Sequence, residues 1–215
     1  MQLIHRRGWG IFEDEEEVYF HLMGEKGEEL GYAKWSNSQV NTISKQEYFY
    51  HKYGPYYDEI MNYFQGNITD SCRSLDGSVY VSNYQQSDIH KFDSNGNLEF
   101  IHQDMFDTVY GFAVSKDLIW VVYPTRNTIK CYNLKTYKEL YSIGDFEGTS
   151  FDLPESIYFY DELLYVCDMG NQRICTIDPK SKVISSYKEF REPVWEYIIS
   201  NNYEIVRLKS GIFRI

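Results

Sequence analysis

The chain has 215 residues, with 32 acidic against 21 basic side chains, a net charge of −11 and a pI near 4.9. That balance argues against a binder of the nucleic-acid backbone, which needs a basic face. No apolar run approaches the length of a membrane span either. With 43% apolar residues, and 21 Tyr and 13 Phe among them, the composition can bury a core and leans towards β structure.

In chain order, Gln2–Arg7 reads as a spare strand, and its neighbourhood has no apolar leader segment. A first candidate blade opens with Gly8–Glu13, turns through the acidic corner Glu13–Glu17, and continues with Val18–Met23 and Leu30–Trp35. Five charges at a hairpin tip read more naturally as a solvated turn than as a recognition patch. Residues 36–70 break the rhythm with an aromatic-rich insertion, Tyr48–Asn67, around Gly54-Pro55; Asp58–Gln65 within it is spaced for two helical turns. Such an insertion either packs against the scaffold or forms a contact surface.

The second unit comprises Asp70–Leu75, the hairpin Val79–Asp93 and Leu98–His102. The third comprises Val109–Val114, Ile119–Tyr123, Thr128–Asn133 and Glu139–Ile143, and the fourth Glu155–Tyr160, Leu164–Asp168, Arg173–Asp178 and Val183–Lys188. Equivalent hairpins begin at 79, 119 and 164, a period of 40 to 45 residues. Four short strands per period of that length predict an all-β fold, a single β-propeller over residues 1–215. Trp195–Ile199, Glu204–Leu208 and Gly211–Ile215 supply three strands of a fifth blade, and the N-terminal strand is expected to complete it and close the ring. Five blades are expected, with six as the alternative.

Asp161–Asp178 (DELLYVCDMGNQRICTID) resembles an NHL repeat, and Leu75–Asp93 does so more loosely. The resemblance spans about residues 70–190. It implies a propeller and says little about activity, because related propellers include scaffolds, ligand binders and enzymes.

No catalytic or metal-binding motif is present: His5, His21, His51, His90 and His102 are dispersed, and Cys72, Cys131, Cys167 and Cys175 form no C-x-x-C pair. Free cysteines, no cofactor, no metal and no enzymatic activity are therefore expected. The turns after the second strands should share one face of the ring, which places Tyr84, Tyr123, Arg126, Asp168 and Asn171 together as candidate partner-binding residues, with Tyr56, Tyr57 and Asp58 of the insertion extending that surface. Asp168 is also well placed to cap its own turn. The four tryptophans, Trp9, Trp35, Trp120 and Trp195, are expected in the core.

The function so read is that of a monomeric, cytoplasmic, non-enzymatic binding module. It presents an acidic, Tyr-rich surface to a basic protein partner, and one concrete version is an immunity protein that neutralises a toxin domain. The alternatives are a carbohydrate or small-ligand binder using the central pocket, and a propeller lyase or hydrolase.

Overall fold

A computed structural model describes every residue except Gly66, Leu75, Tyr84 and 104–106. After β1 (Gln2–His5), blade 1 holds β2 (Gly8–Asp14), β3 (Glu17–Met23), β4 (Glu29–Ser36) and β5 (Gln39–Ile43). The helices α1 (Lys45–Tyr53) and α2 (Tyr57–Phe64) follow, joined by a 3-10 turn, Gly54–Tyr56. Blade 2 is β6 (Ile68–Arg73), β7 (Val79–Asn83), β8 (Asp88–Phe92) and β9 (Leu98–Gln103). Blade 3 is β10 (Phe112–Val114), β11 (Leu118–Tyr123), β12 (Thr128–Asn133) and β13 (Glu139–Gly144). Blade 4 is β14 (Pro154–Tyr160), β15 (Leu163–Asp168), β16 (Arg173–Ile177) and β17 (Ile184–Glu189). Blade 5 is β18 (Val194–Ser200), β19 (Tyr203–Leu208), β20 (Gly211–Arg214) and β1.

Every blade is an antiparallel meander, and the five form the expected five-bladed propeller. Closure is also as expected: β1 pairs with β20, Gln2 opposite Arg214 and Leu3 opposite Phe213.

The burial pattern explains why some strands were legible and one was not. Blades pack face to face, so a second strand is covered on both sides and reads as a continuous apolar run. All of Val79–Asn83 is buried, as are Ile119–Tyr123 and Leu164–Asp168. The fourth strand lies at the rim and keeps little of that signal. Gln39, Val40, Asn41 and Thr42 of β5 are all exposed, and the sequence did not mark this strand.

The tight connections depend on turn geometry. Glu15-Glu16, Asp161-Glu162 and Asn201-Asn202 each have both residues at positive φ, the two-residue hairpin conformation that matches strand twist. The acidic run at 13–17 is thus a turn with internal partners. Asp14 pairs with His51 and Arg73, Glu17 pairs with Lys34, and Glu13 accepts from the Glu16 amide.

The insertion is a helical wedge. Inner strand packs on inner strand from β6 through β10, β14 and β18 to β2, but between β2 and β6 it is α1 that touches both. Tyr48, Phe49 and Tyr53 of α1 and Ile60 and Phe64 of α2 are buried against Tyr19 and Tyr32 of blade 1 and Val79, Val81 and Phe92 of blade 2. Asp14 ties the wedge down, its two oxygens taking His51 Nδ1 at 2.8 Å and Arg73 Nη1 at 3.0 Å. Ser44 starts α1 by accepting the Glu47 amide at 3.0 Å.

Blades 3 and 4 approach closely at Gly111, where any Cβ would lie 2.7 Å from the Glu155 carbonyl oxygen and 2.9 Å from Ser156 Cα. Both neighbours are backbone and cannot rotate away. Gly111→Ala is expected to destabilise the fold by about 1–3 kcal/mol, the usual cost of overpacking, read as a lower urea midpoint with unchanged slope.

Candidate binding site at the mouth of the central channel

The five inner strands surround a channel of about 1170 Å³. Its lining near the starts of those strands is set by a repeated backbone irregularity. The ladder between first and second strands slips between Trp9 and Phe12, Ile68 and Ser71, Pro154 and Ser156, and Val194 and Glu196. A bulge leaves its extra residue outside the ladder and re-aims the side chain. Glu155 and Trp195 are such residues, and Thr69-Asp70 and Gly10-Ile11 occupy the longer slips.

The amides released at these bulges are bonded by acids and a hydroxyl. Glu196 Oε2 accepts from Ile11 N–H at 3.1 Å, across the junction of blades 5 and 1. Asp70 N–H donates to Ser82 Oγ at 3.0 Å, and Asp70 Oδ2 accepts from Phe112 N–H of blade 3 at 3.3 Å. Neighbouring blades are thereby stitched together at one end of the channel.

Arg207 stands at the centre of this mouth. Its register partner is Glu196, and its Nε donates to Glu196 Oε2 at 2.9 Å. The guanidinium carbon lies 3.6 Å from the Trp9 ring centre and 4.1 Å from that of Trp195. The two indoles are 5.3 Å apart and tilted by 48°. Stacking on indole faces suits a planar, weakly hydrated cation in a confined site. Arg207 is only 4% exposed. Burial pulls its pKa down, opposed by the Glu196 carboxylate.

The same mouth holds surplus negative charge. Burial raises the Asp70 carboxyl to about 6, against the lowering effect of the Ser71 amide, the Lys52 ammonium and the Phe112 amide. Burial also raises Glu155, with Arg207 opposing and Glu196 adding to the shift.

For Asp70 the folded pKa lies above the unfolded value. The associated stability is therefore complete below about pH 4 and is lost as pH rises through about 6. Asp70→Asn is expected to raise the urea midpoint at about pH 8 and to leave it unchanged near pH 4. A variant equally shifted at both pH values would mean that packing, not charge, governs the site.

The residues singled out from sequence lie in different places. Tyr123 is fully buried, its hydroxyl 2.9 Å from His102 Nε2 and 3.1 Å from the Tyr132 hydroxyl, so it offers no contact surface. Asp168 is fully buried as well and accepts from Asp152 N–H, Asn171 Nδ2 and Arg173 Nε. Asp168 fixes its turn from beneath, whereas Tyr123 ties its strand to β9 and β12; both strands are covered on both faces. Asn171 is exposed above Asp168, and Arg126, part-exposed, pairs with Asp107 at 2.6 Å. Tyr84 lies outside the described residues.

Tyr56 and Tyr57 are half-buried, and Asp58 is exposed. Tyr56 packs on Gly96, in the turn between β8 and β9, at the opposite end of the ring from the turns carrying Arg126 and Asn171. The insertion therefore does not extend that face, because α1 runs along the blades and delivers its connecting turn to the far end.

Two expectations for tryptophan are corrected. Trp35 and Trp120 are core residues, whereas Trp9 is 48% exposed and Trp195 part-exposed, and both line the channel. A sequence clue existed, since Trp9, Glu155 and Trp195 are each the second residue of an inner strand. The four cysteines are unpaired, with Cys131, Cys167 and Cys175 buried. Among the described residues no group of three or more His, Cys, Asp or Glu is placed to hold a metal ion, and no helix is long and apolar enough to cross a membrane.

This architecture defines a five-bladed β-propeller with a helical wedge at one junction and an arginine-centred channel mouth. The chain is similar in structure to a virginiamycin B lyase from Staphylococcus aureus, at 14% identity and a TM-score of 0.55, over all of this chain and 72% of that one. It is similar also to the WD40 propeller domain of Doa1 (10%, 0.56, over 95% and 61%) and to a chain of a nidogen/laminin complex (12%, 0.57, over 94% and 72%). At such identities the likeness establishes the propeller fold alone. No family model matches the chain, and no curated protein matches it.

Proposed function

We propose that the protein is a non-enzymatic binding module that holds a protein partner on the end of the ring where the inner strands begin. One observation carries this reading. That end exposes a set of large apolar side chains, Trp9 (48%), Tyr110 (37%), Phe146 (74%) and Leu153 (41%), around an acid-rich channel mouth. Phe146 and Leu153 belong to the β13–β14 connection, which is pinned to this end. Leu153 N–H donates to Asn127 Oδ1 at 2.8 Å, and Gly170 N–H donates to the Asp152 carbonyl at 2.8 Å.

Exposed aromatic and aliphatic anchors beside polar groups are the make-up of a protein interface centre. Asp70, Glu155 and Glu196 favour a partner of positive charge, steered by the net charge of −11. In its narrowest form the reading makes this chain an immunity protein and the partner a basic toxin domain; net charge alone supports that step. The NHL-like segment 161–178 belongs to the same reading, as a scaffold repeat rather than a catalytic one.

The test is a pull-down from the source cell's lysate at low and high salt, with wild type, a Phe146→Ser/Leu153→Ser variant, and a rim control, Leu98→Ser. The expected result is one basic protein held by wild type and the rim control, weakened by salt and absent from the double variant. No specific protein in either buffer, or equal capture by all three chains, would overturn the reading.

A further inference from the structure

We propose that the channel mouth is also a small-molecule site for a zwitterionic α-amino acid, its carboxylate received by Arg207 and its ammonium group by Glu155. The site shares Trp9, Asp70 and Glu155 with the mouth assigned above to a protein partner, but neither reading needs the other.

The first observation is a buried cation with unused donors. Among the described residues Arg207 makes one hydrogen bond, from Nε to Glu196, although it is 4% exposed and lines the channel. Its two terminal amino groups keep the fork that matches a carboxylate bidentately. Trp9 and Trp195 hold the guanidinium plane, so little side-chain freedom remains to be lost on binding.

The second observation is an acid with no hydrogen-bond partner. Among the described residues Glu155 forms no hydrogen bond and no ion pair, yet it lines the same channel from its bulge. Glu155 and Arg207 each feel the other's charge, and no direct contact joins them. A donor fork and an acceptor thus face one cavity without meeting. One ligand carrying both opposite groups completes both, and an amine or an acid alone completes one.

The third observation is the wall. Trp9, half exposed beside Arg207, offers an apolar face for the ligand's side chain, and Asp70, lining the same channel, offers a carboxylate. Apolar walls with a few placed polar groups are the ordinary composition of a ligand pocket. A carbohydrate, by contrast, brings no carboxylate to the terminal donors of Arg207 and no ammonium group to Glu155.

The experiment is calorimetric titration of the full chain with each of the twenty free amino acids, up to about 10 mM, which brackets a Kd near 1 mM. Tryptophan fluorescence serves as a second readout, since Trp9 and Trp195 flank the site. For any amino acid that binds, the amine lacking its carboxylate and the acid lacking its ammonium group are titrated in parallel. The expected result is binding of at least one amino acid, weakened at least ten-fold by deletion of either charge. Glu155→Gln, which has no partner to lose, is expected to weaken the amino acid ten-fold and to leave the ammonium-free acid unchanged. Arg207→Lys, which keeps the charge and removes the fork, is expected to weaken both.

Absence of binding by all twenty would overturn the proposal. So would an amine that binds as well as its amino acid, which would make the mouth a simple cation site. Amino-acid binding that survives both Glu155→Gln and Arg207→Lys would place the ligand elsewhere. These outcomes are separable from the pull-down, whose substituted residues, Phe146 and Leu153, lie outside the channel lining.

Discussion

Replacing Asp168 by alanine is expected to lower the unfolding free energy by about 3–5 kcal/mol, the scale for removing one member of a buried ion pair. Three nitrogen donors converge on this fully buried carboxylate, Asp152 N–H at 2.7 Å on Oδ1, and Asn171 Nδ2 at 2.9 Å and Arg173 Nε at 2.8 Å on Oδ2, with the Cys175 thiol at 4.0 Å from Oδ2. Arg173 also reaches the Ser150 carbonyl at 2.7 Å. The acid thus joins its own turn to the connection that carries Phe146 and Leu153. Its removal strands a partly buried guanidinium and an inner amide, so the penalty exceeds the worth of the contacts. At about 2–4 °C per kcal/mol for a chain of this length, the melting temperature should fall by on the order of 10 °C. Asp168→Asn keeps an oxygen acceptor for Asp152 N–H but turns its amide nitrogen towards the Asn171 and Arg173 donors, so it should recover only part of the loss. Asp168→Ala combined with Arg173→Ala should cost less than the sum of the two single changes.

The second large effect is expected at Tyr48, the centre of the helical wedge. Its ring is fully buried, 4.6 Å from His21 and from Tyr32, 5.2 Å from Phe12 and 5.4 Å from Phe49. Tyr48→Ala should destabilise by about 3–5 kcal/mol, the range for emptying a large aromatic site. The hydroxyl contact to the Gly10 carbonyl is long at 3.4 Å, so Tyr48→Phe should cost less than about 1 kcal/mol. Urea unfolding of both variants separates the roles. Equal losses would place the energy in the hydroxyl, whereas the expected order places it in the packing between blades 1 and 2.

How much of this was legible from sequence depends on what each residue faces. The second strands of blades 2 to 4 were readable because both their faces are covered and their side chains are mostly apolar. Ring closure was readable because a spare strand at one end matched a missing one at the other. Strand β5 and helix α1 were not. The former is polar and exposed, and the latter, KQEYFYHKY, carries tyrosine where an apolar stripe would signal a helix. Its capping serine and its burial against Tyr19 and Tyr32 override that local ambiguity.

The candidate site was legible only in part. Turns after the second strands do share one end of the ring, and Arg126 and Asn171 lie there. The inward pair Trp9 and Trp195 escaped notice because a tryptophan in a strand reads as core. Trp195 is turned to the channel by the bulge of blade 5, and Trp9 borders the longer slip of blade 1, where Gly10 has a positive φ. Arg207 was invisible for a different reason. An arginine inside an apolar strand gains its meaning only from Glu196 across the ladder and from an indole supplied by another blade.

The fifth blade has a consequence for how the chain is made. Residues 2–5 leave the ribosome before every other strand of the ring, and their partner strand, Gly211–Arg214, after all of them. At roughly 5–20 residues per second the opening strand waits on the order of ten seconds or more with its hydrogen-bonding edge unpaired. Blades 1 to 4 can assemble in turn from neighbouring hairpins, but the fifth sheet must join the first and last strands of the ring, its most non-local strand pairing. An exposed strand edge held open for that interval is where mispairing with another nascent copy would begin, so yield on overexpression should respond more to substitutions in residues 2–5 than their few side chains suggest.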